Sequence, residues 1–263
     1  MPEPTTRPPL AVCFGGGGAF GFGFDMGVAD GLRERGFDLR QPALLGTSAG
    51  SHTAAAIDSG LTFDDVATLW ARYIDGASNH RRSSGIDLAG PIYGERGGTA
   101  VGAVAVRLLT LRRHVLSSDD HPLADIVAAS SSVPLLVRPH RIDGKRYIDG
   151  GAVSIASIDL APAADLLLAI TPFAVKSLGI GGRIGALQAR REIRSWTKQH
   201  GGSVLQVVPS PSMTALGGRR LRDLGDMRIG RAVYPEAVEL GRHVGDIIHR
   251  DHPSVAARAS APT

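Results

Sequence analysis

Apolar residues along this chain fall into two rhythms. Short unbroken apolar runs that end in glycine come first: Leu10–Phe14 leads into Gly15-Gly16-Gly17-Gly18, and Ala43-Leu44-Leu45 leads into Gly46-Thr47-Ser48-Ala49-Gly50. Each run is followed by helical spacing, at about residues 26–35 and at residues 51–57, where three consecutive alanines suit close packing. A strand, a glycine turn and a helix, repeated, predict a parallel sheet. Residues 165–170 and 203–208 are further bounded apolar runs of the kind that extend such a sheet.

The longer rhythm has a helical period. Residues 64–73 read as a surface helix, 184–199 as a basic amphipathic helix, and 235–250 as a terminal helix with Ala237, Leu240, Val244 and Ile247 on one face. Residues 101–111 and 122–129 also read as helical. Residues 137–148 read as a hairpin turning at Asp143-Gly144 and leading into Asp149-Gly150-Gly151. The Gly-, Arg- and Ser-rich stretch 80–98 is expected to be a mobile loop or lid. The layout predicts one α/β domain over 10–250, between a flexible leader (1–9) and a disordered tail (251–263).

Composition narrows the chemistry. Cys13 is the only cysteine, which excludes an internal disulfide and a cysteine-based metal site within one chain. The amino terminus lacks the basic and apolar regions of a signal peptide, and no apolar run reaches the roughly 20 residues that span a bilayer. The expected location is therefore cytoplasmic, with contact at membrane surfaces as a peripheral protein. A formal charge of +4 mildly favours anionic partners without choosing between lipid and nucleic acid.

Three segments carry candidate chemistry. Gly46-Thr47-Ser48-Ala49-Gly50 matches Gly-x-Ser-x-Gly, the nucleophile elbow, in which a sharp strand-to-helix turn exposes a serine hydroxyl and small flanking residues such as Gly46 and Gly50 avoid clashes. Its alternative is a structural N-cap serine. The glycine run can point backbone N–H groups at a reacting oxygen. Gly16-x-Gly18-x-x-Gly21 also fits a dinucleotide fingerprint, but the acidic residue that should end the second strand is missing, because Gly46-Thr47-Ser48 stands there. Asp149-Gly150-Gly151 is either an accessible carboxylate on a tight bend or a plain turn. Phe20, Phe22 and Phe24 are candidates for lining an acyl pocket, with core packing as the alternative. His52, His200, His243, His249 and His252 read as packing or surface residues, not as a third catalytic member.

Taken in order and spacing, the glycine run with Ala19-Phe20-Gly21, the elbow, Ala129-Ser130-Ser131-Ser132-Val133-Pro134 and Asp149-Gly150-Gly151 resemble the patatin-like phospholipase family over roughly residues 10–171. The resemblance implies a three-layer α/β/α fold with a mainly parallel central sheet. It further implies a Ser48–Asp149 dyad with no histidine between the two, an oxyanion hole from Gly16, Gly17 and Gly18 with Ala49, a lipid or acyl-ester substrate, transient membrane contact, and neither cofactor, metal nor nucleic acid. Phe20 stands where the family commonly has a basic residue, and Ser154 and Ser157 stand where it often has asparagine and proline. These departures keep a second reading in play, a lipid-binding or regulatory module that retains the fold without turnover.

Overall fold

The computed structural model describes residues 7–40, 42–76, 84–94, 101–175, 179–217 and 221–260. Its strands are β1 (Leu10–Phe14), β2 (Ala43–Thr47), β3 (Val101–Arg107), β4 (Arg112–Ser117), β5 (His140–Ile142), β6 (Lys145–Asp149), β7 (Leu166–Ile170) and β8 (Ser203–Val207). Its helices are α1 (Gly18–Glu34), α2 (Ala49–Asp58), α3 (Phe63–Gly76), α4 (Gly85–Tyr93), α5 (Leu123–Ser130), α6 (Gly179–His200), α7 (Pro211–Leu216), α8 (Met227–Asp251) and α9 (Pro253–Ala259).

The strands form a single mixed sheet in which β3, β2, β1, β7 and β8 run parallel; β1, β2, β7 and β8 fall on the apolar runs expected to build it, and β3 does not. Alternation decides which layer each side chain joins. Leu10, Val12 and Phe14 of β1, with Leu166, Leu168 and Ile170 of β7, enter one core with α1, α2, α3 and α8. Ala11, Cys13, Leu167 and Ala169 point the other way, into a second core closed by Ala189 and Trp196 of α6. Helices cover both faces, giving the three-layer α/β/α arrangement.

Helix α1 begins at Gly18, well before the predicted start near residue 26, because its glycines serve a helix seam and not a loop. A Cβ on Gly23 would stand 2.3 Å from the Gly230 carbonyl oxygen of α8, and one on Gly31 would stand 2.1 Å from that of Val238. The low helix propensity of glycine is offset here by backbone-close packing.

Three other expectations are corrected. Residues 101–111 are not helical but form β3 and a turn: alternating valine and alanine in a strand paired on both edges is buried throughout, and alanine's helix propensity misleads there. Strand β4 was not anticipated, since its half-exposed, arginine-rich sequence has no apolar alternation. Residues 84–94 of the expected lid include α4, where Asp87 accepts the Ser84 amide N–H at 2.8 Å; positions 77–83 and 95–100 lie outside the described residues. Of the expected disordered tail, 253–259 is helix α9; of the leader, 1–6 lies outside the described residues. The hairpin is as predicted, with Asp143 and Gly144 at positive φ of 49° and 73°.

The path of β3 positions the site. β4 occupies one edge of β3 along Gly102–Arg107, so its two other partners must share the opposite edge. β2 pairs there through Val104, and the antiparallel β6 pairs there from Ala105 onward. The carboxyl ends of β2 and β6 therefore meet head to head, bringing Ser48 and Asp149, 101 residues apart, to one point.

Candidate active site

Ser48 sits between β2 and α2 with φ 55° and ψ −119°, a conformation that L residues rarely adopt and that costs of order 1–3 kcal/mol. Close packing enforces it. A Cβ on Gly46 would lie 2.3 Å from the Gly50 carbonyl oxygen, and one on Gly50 would lie 2.2 Å from that of Phe14. Both glycines expected of an elbow are thus required by backbone contact, and the turn holds the serine side chain away from its own strand.

The Ser48 hydroxyl donates to Asp149 Oδ2 at 2.6 Å. Oδ1 of the same carboxylate accepts the Gly151 amide at 2.6 Å, and the Asp149 amide is tied to the Ser132 carbonyl at 2.9 Å. Asp149 is 4% exposed, and burial raises its pKa to about 6, against the lowering effects of the Ser48 and Gly151 hydrogen bonds. Gly150 must be glycine, because a Cβ would stand 2.4 Å from the Val104 carbonyl oxygen.

Of the expected oxyanion donors, Gly16 is already engaged: its N–H donates to the Ile155 carbonyl at 2.7 Å. Gly16 instead anchors the turn beside the serine, its Cβ direction pointing 3.2 Å from Ser48 Cβ. Gly17 caps α1, Gly18 is its first residue and Ala49 is the first residue of α2, positions whose N–H groups have no acceptor within their own helices. Gly18 has φ 56°, and its Cβ direction meets the Leu224 carbonyl oxygen at 2.4 Å.

The aromatic residues of α1 are core. Phe22 stacks on Phe63 and lies against Trp70, while Phe20 stacks on Phe24 and meets Phe173 edge-on. All three α1 phenylalanines are almost fully buried, as the packing alternative describes. His52 is buried with Nδ1 3.1 Å from the Tyr93 hydroxyl, and burial lowers its pKa to about 3. It packs as a neutral ring. Among the described residues no group of three or more His, Cys, Asp or Glu side chains is arranged to hold a metal ion.

Two supports escaped sequence reasoning. Ser130 takes the Ser48 amide N–H on its Oγ at 2.9 Å and donates to the Val104 carbonyl at 2.7 Å. The triple serine at 130–132 was the available signal, but it did not reveal which hydroxyl faced the elbow. The second is Glu192 on the inner face of α6, which accepts Ser154 Oγ at 2.6 Å, the Ile158 amide at 3.0 Å and Arg113 Nη1 at 3.4 Å. Arg113 is bidentate to Asp159, and the loop held by this network carries Ile155, the acceptor for Gly16. Ser154 and Ser157, the departures from the family pattern, lie inside it.

Fold and site together define a class: an α/β/α protein with a serine–aspartate pair at the carboxyl edge of its parallel strands. A family model, the patatin-like phospholipase, matches residues 95–162. Uncharacterised NTE family proteins of Mycobacterium tuberculosis and Mycobacterium bovis are 29% identical over 186 residues, covering 64% of this chain and 50% of theirs. These matches make the chain similar to patatin-like phospholipases and support a lipid hydrolase family. The chain spans about half the length of the curated relatives it matches. The crystal structure of VipD from Legionella pneumophila is a distant likeness, with TM-score 0.43 and 13% identity over 89% of this chain and 67% of that one. No helix among the described residues is long and apolar enough to cross a membrane.

Proposed function

We propose that the protein is a lipid acyl ester hydrolase of the phospholipase A, lysophospholipase or esterase type, working through Ser48 and Asp149. The observation that carries this reading is the 2.6 Å hydrogen bond from the Ser48 hydroxyl, on a strained elbow, to a buried carboxylate. In the ionised state Asp149 accepts the Ser48 proton as Oγ attacks the ester carbonyl carbon. The resulting oxyanion faces the N–H groups of Gly17, Gly18 and Ala49. Collapse breaks the ester C–O bond, the Asp149 proton passes to the leaving alcohol, and an acyl-serine remains. Water, deprotonated by Asp149, attacks that acyl group and releases the acid as Ser48 regains its proton.

A carboxylate with ordinary pKa is a weak base toward a serine hydroxyl, and the burial of Asp149 moves it in the useful direction. The engaged Gly16 amide favours a second reading, the non-hydrolytic lipid-binding module, because one expected donor is already spent.

Release of p-nitrophenol from short- and long-chain p-nitrophenyl esters, measured for wild type, Ser48→Ala and Asp149→Asn, separates the two. The hydrolase reading expects activity in wild type, its loss in both folded variants, and labelling of Ser48 by a fluorophosphonate. A folded wild type that neither turns over ester nor takes the label sinks it in favour of the binding module.

A further inference from the structure

The two hairpins β3–β4 and β5–β6 end side by side, joined by the Leu108 amide donating to the Arg146 carbonyl at 2.9 Å. Their shared tip combines two features that a solvated tip avoids. Leu109 and Leu111 are 86% and 64% exposed, and Leu111 holds φ 52°, where glycine or asparagine is the usual choice. Just behind them stand two arginine pairs directly opposite each other across the strands: Arg107 faces Arg112, and Arg141 faces Arg146.

Like charges opposite one another weaken a hairpin unless an anion lies between them. Neither pair makes an ion pair with another described residue, and neither does Lys145. Asp143, the one carboxylate in the β5–β6 turn, lies 3.9 Å from His121. The register also distributes the charge. Arg107 pairs with Tyr147, so it shares that residue's face, whereas the neighbouring Arg146 projects from the opposite face. The β3–β4 tip is apolar at its extremity, and cations stand on both faces of the paired hairpins one to two residues further back.

We propose that this twin-hairpin tip docks the protein on an anionic lipid bilayer, the leucines entering the acyl boundary while the arginine pairs bind headgroup phosphates. The occupant is lipid and not nucleic acid, because a duplex offers the leucines no apolar layer. The placement gives docking a purpose, which rests on the hydrolase reading above: Asp149 lies four residues along β6 from Lys145, roughly 13 Å at strand rise. A bilayer at the tip brings ester groups within reach of Ser48.

Binding is measured without turnover, so its outcome is separate from that reading: Ser48→Ala protein is floated with vesicles of phosphatidylcholine, alone or mixed with phosphatidylglycerol. The expected result is binding to the anionic vesicles only. It weakens about fivefold for each of Arg141→Ala and Arg146→Ala, the factor equivalent to about 1 kcal/mol per cation, and by tenfold or more in Leu109→Ser/Leu111→Ser. Without lipid, Arg141→Ala melts no lower than the parent, because it relieves a like-charge pair. Undiminished binding in the variants, or no preference for anionic vesicles, overturns the proposal. So does a short DNA duplex that binds with the same arginine dependence and no dependence on the leucines.

Discussion

Ser130 holds Ser48 by its backbone: the Ser130 hydroxyl accepts the Ser48 N–H at 2.9 Å while donating to Val104 at 2.7 Å. The bond links the end of α5 to the elbow and to the carboxyl end of β3. It also occupies the Ser48 amide, so that group is not among the oxyanion donors of the proposed mechanism.

Ser130→Ala leaves a buried N–H and a buried carbonyl unpaired, for a loss of about 2 kcal/mol. The expected signature is a melting temperature lower by roughly 4–8 °C and kcat reduced on the order of tenfold with KM little changed, since the elbow loosens but the substrate surface is intact. Unchanged kcat in a folded variant removes Ser130 from the positioning of the serine.

Under the proposed mechanism Asp149 makes activity and stability run in opposite directions with pH. That mechanism needs the ionised carboxylate, so ester hydrolysis should rise through about pH 6. The folded-state pKa is raised, so the native state holds its proton more tightly than the unfolded chain. The stabilising contribution is full below the ordinary Asp pKa near 4 and disappears as pH climbs through about 6. Asp149→Asn, which removes the charge, should therefore gain on wild type as pH rises from 4 to 8, by on the order of 2 kcal/mol. Thermal melts of both proteins across that range test the sign.

Gly46→Ala or Gly50→Ala drives a methyl group into backbone oxygen at about van der Waals overlap, which no side-chain rotation relieves. Each should destabilise by about 3 kcal/mol or more and sharply reduce soluble yield. Gly181→Ala is the control, because nothing lies within 4 Å of its Cβ position on α6; it should be neutral or gain about 0.5–1 kcal/mol. Equal behaviour of the three variants by thermal melt contradicts the elbow packing.

Glu192→Ala removes the acceptor shared by Ser154, Ile158 and Arg113 and should lose about 3 kcal/mol. Because the same loop presents Ile155 to Gly16, kcat should fall beyond what the melt predicts at the assay temperature. Glu192→Gln keeps the shape and should recover part of both. Full activity in a destabilised Glu192→Ala would confine the residue to holding the loop.

Much of this protein is local, and local features are legible in sequence. Bounded apolar runs mark β1, β2 and β7, the first two closed by glycine, because buried parallel strands need continuous hydrophobicity, and Asp143-Gly144 marks its hairpin because few residues tolerate positive φ. The strained turn at Ser48 is written into Gly46 and Gly50 for the same steric reason. What depended on tertiary structure was every relation between distant segments. Residues 101–107 are a strand because neighbours occupy both edges, a fact that a short run of valine and alanine cannot carry by itself. Gly16 loses its place among the oxyanion donors to a carbonyl 139 positions away, and Phe20, Phe22 and Phe24 become core when α3 and the segment bearing Phe173 close over them. Propensity and sterics act over a few residues and can be read along the chain; pairing, burial and the satisfaction of buried polar groups belong to the assembled sheet and its layers.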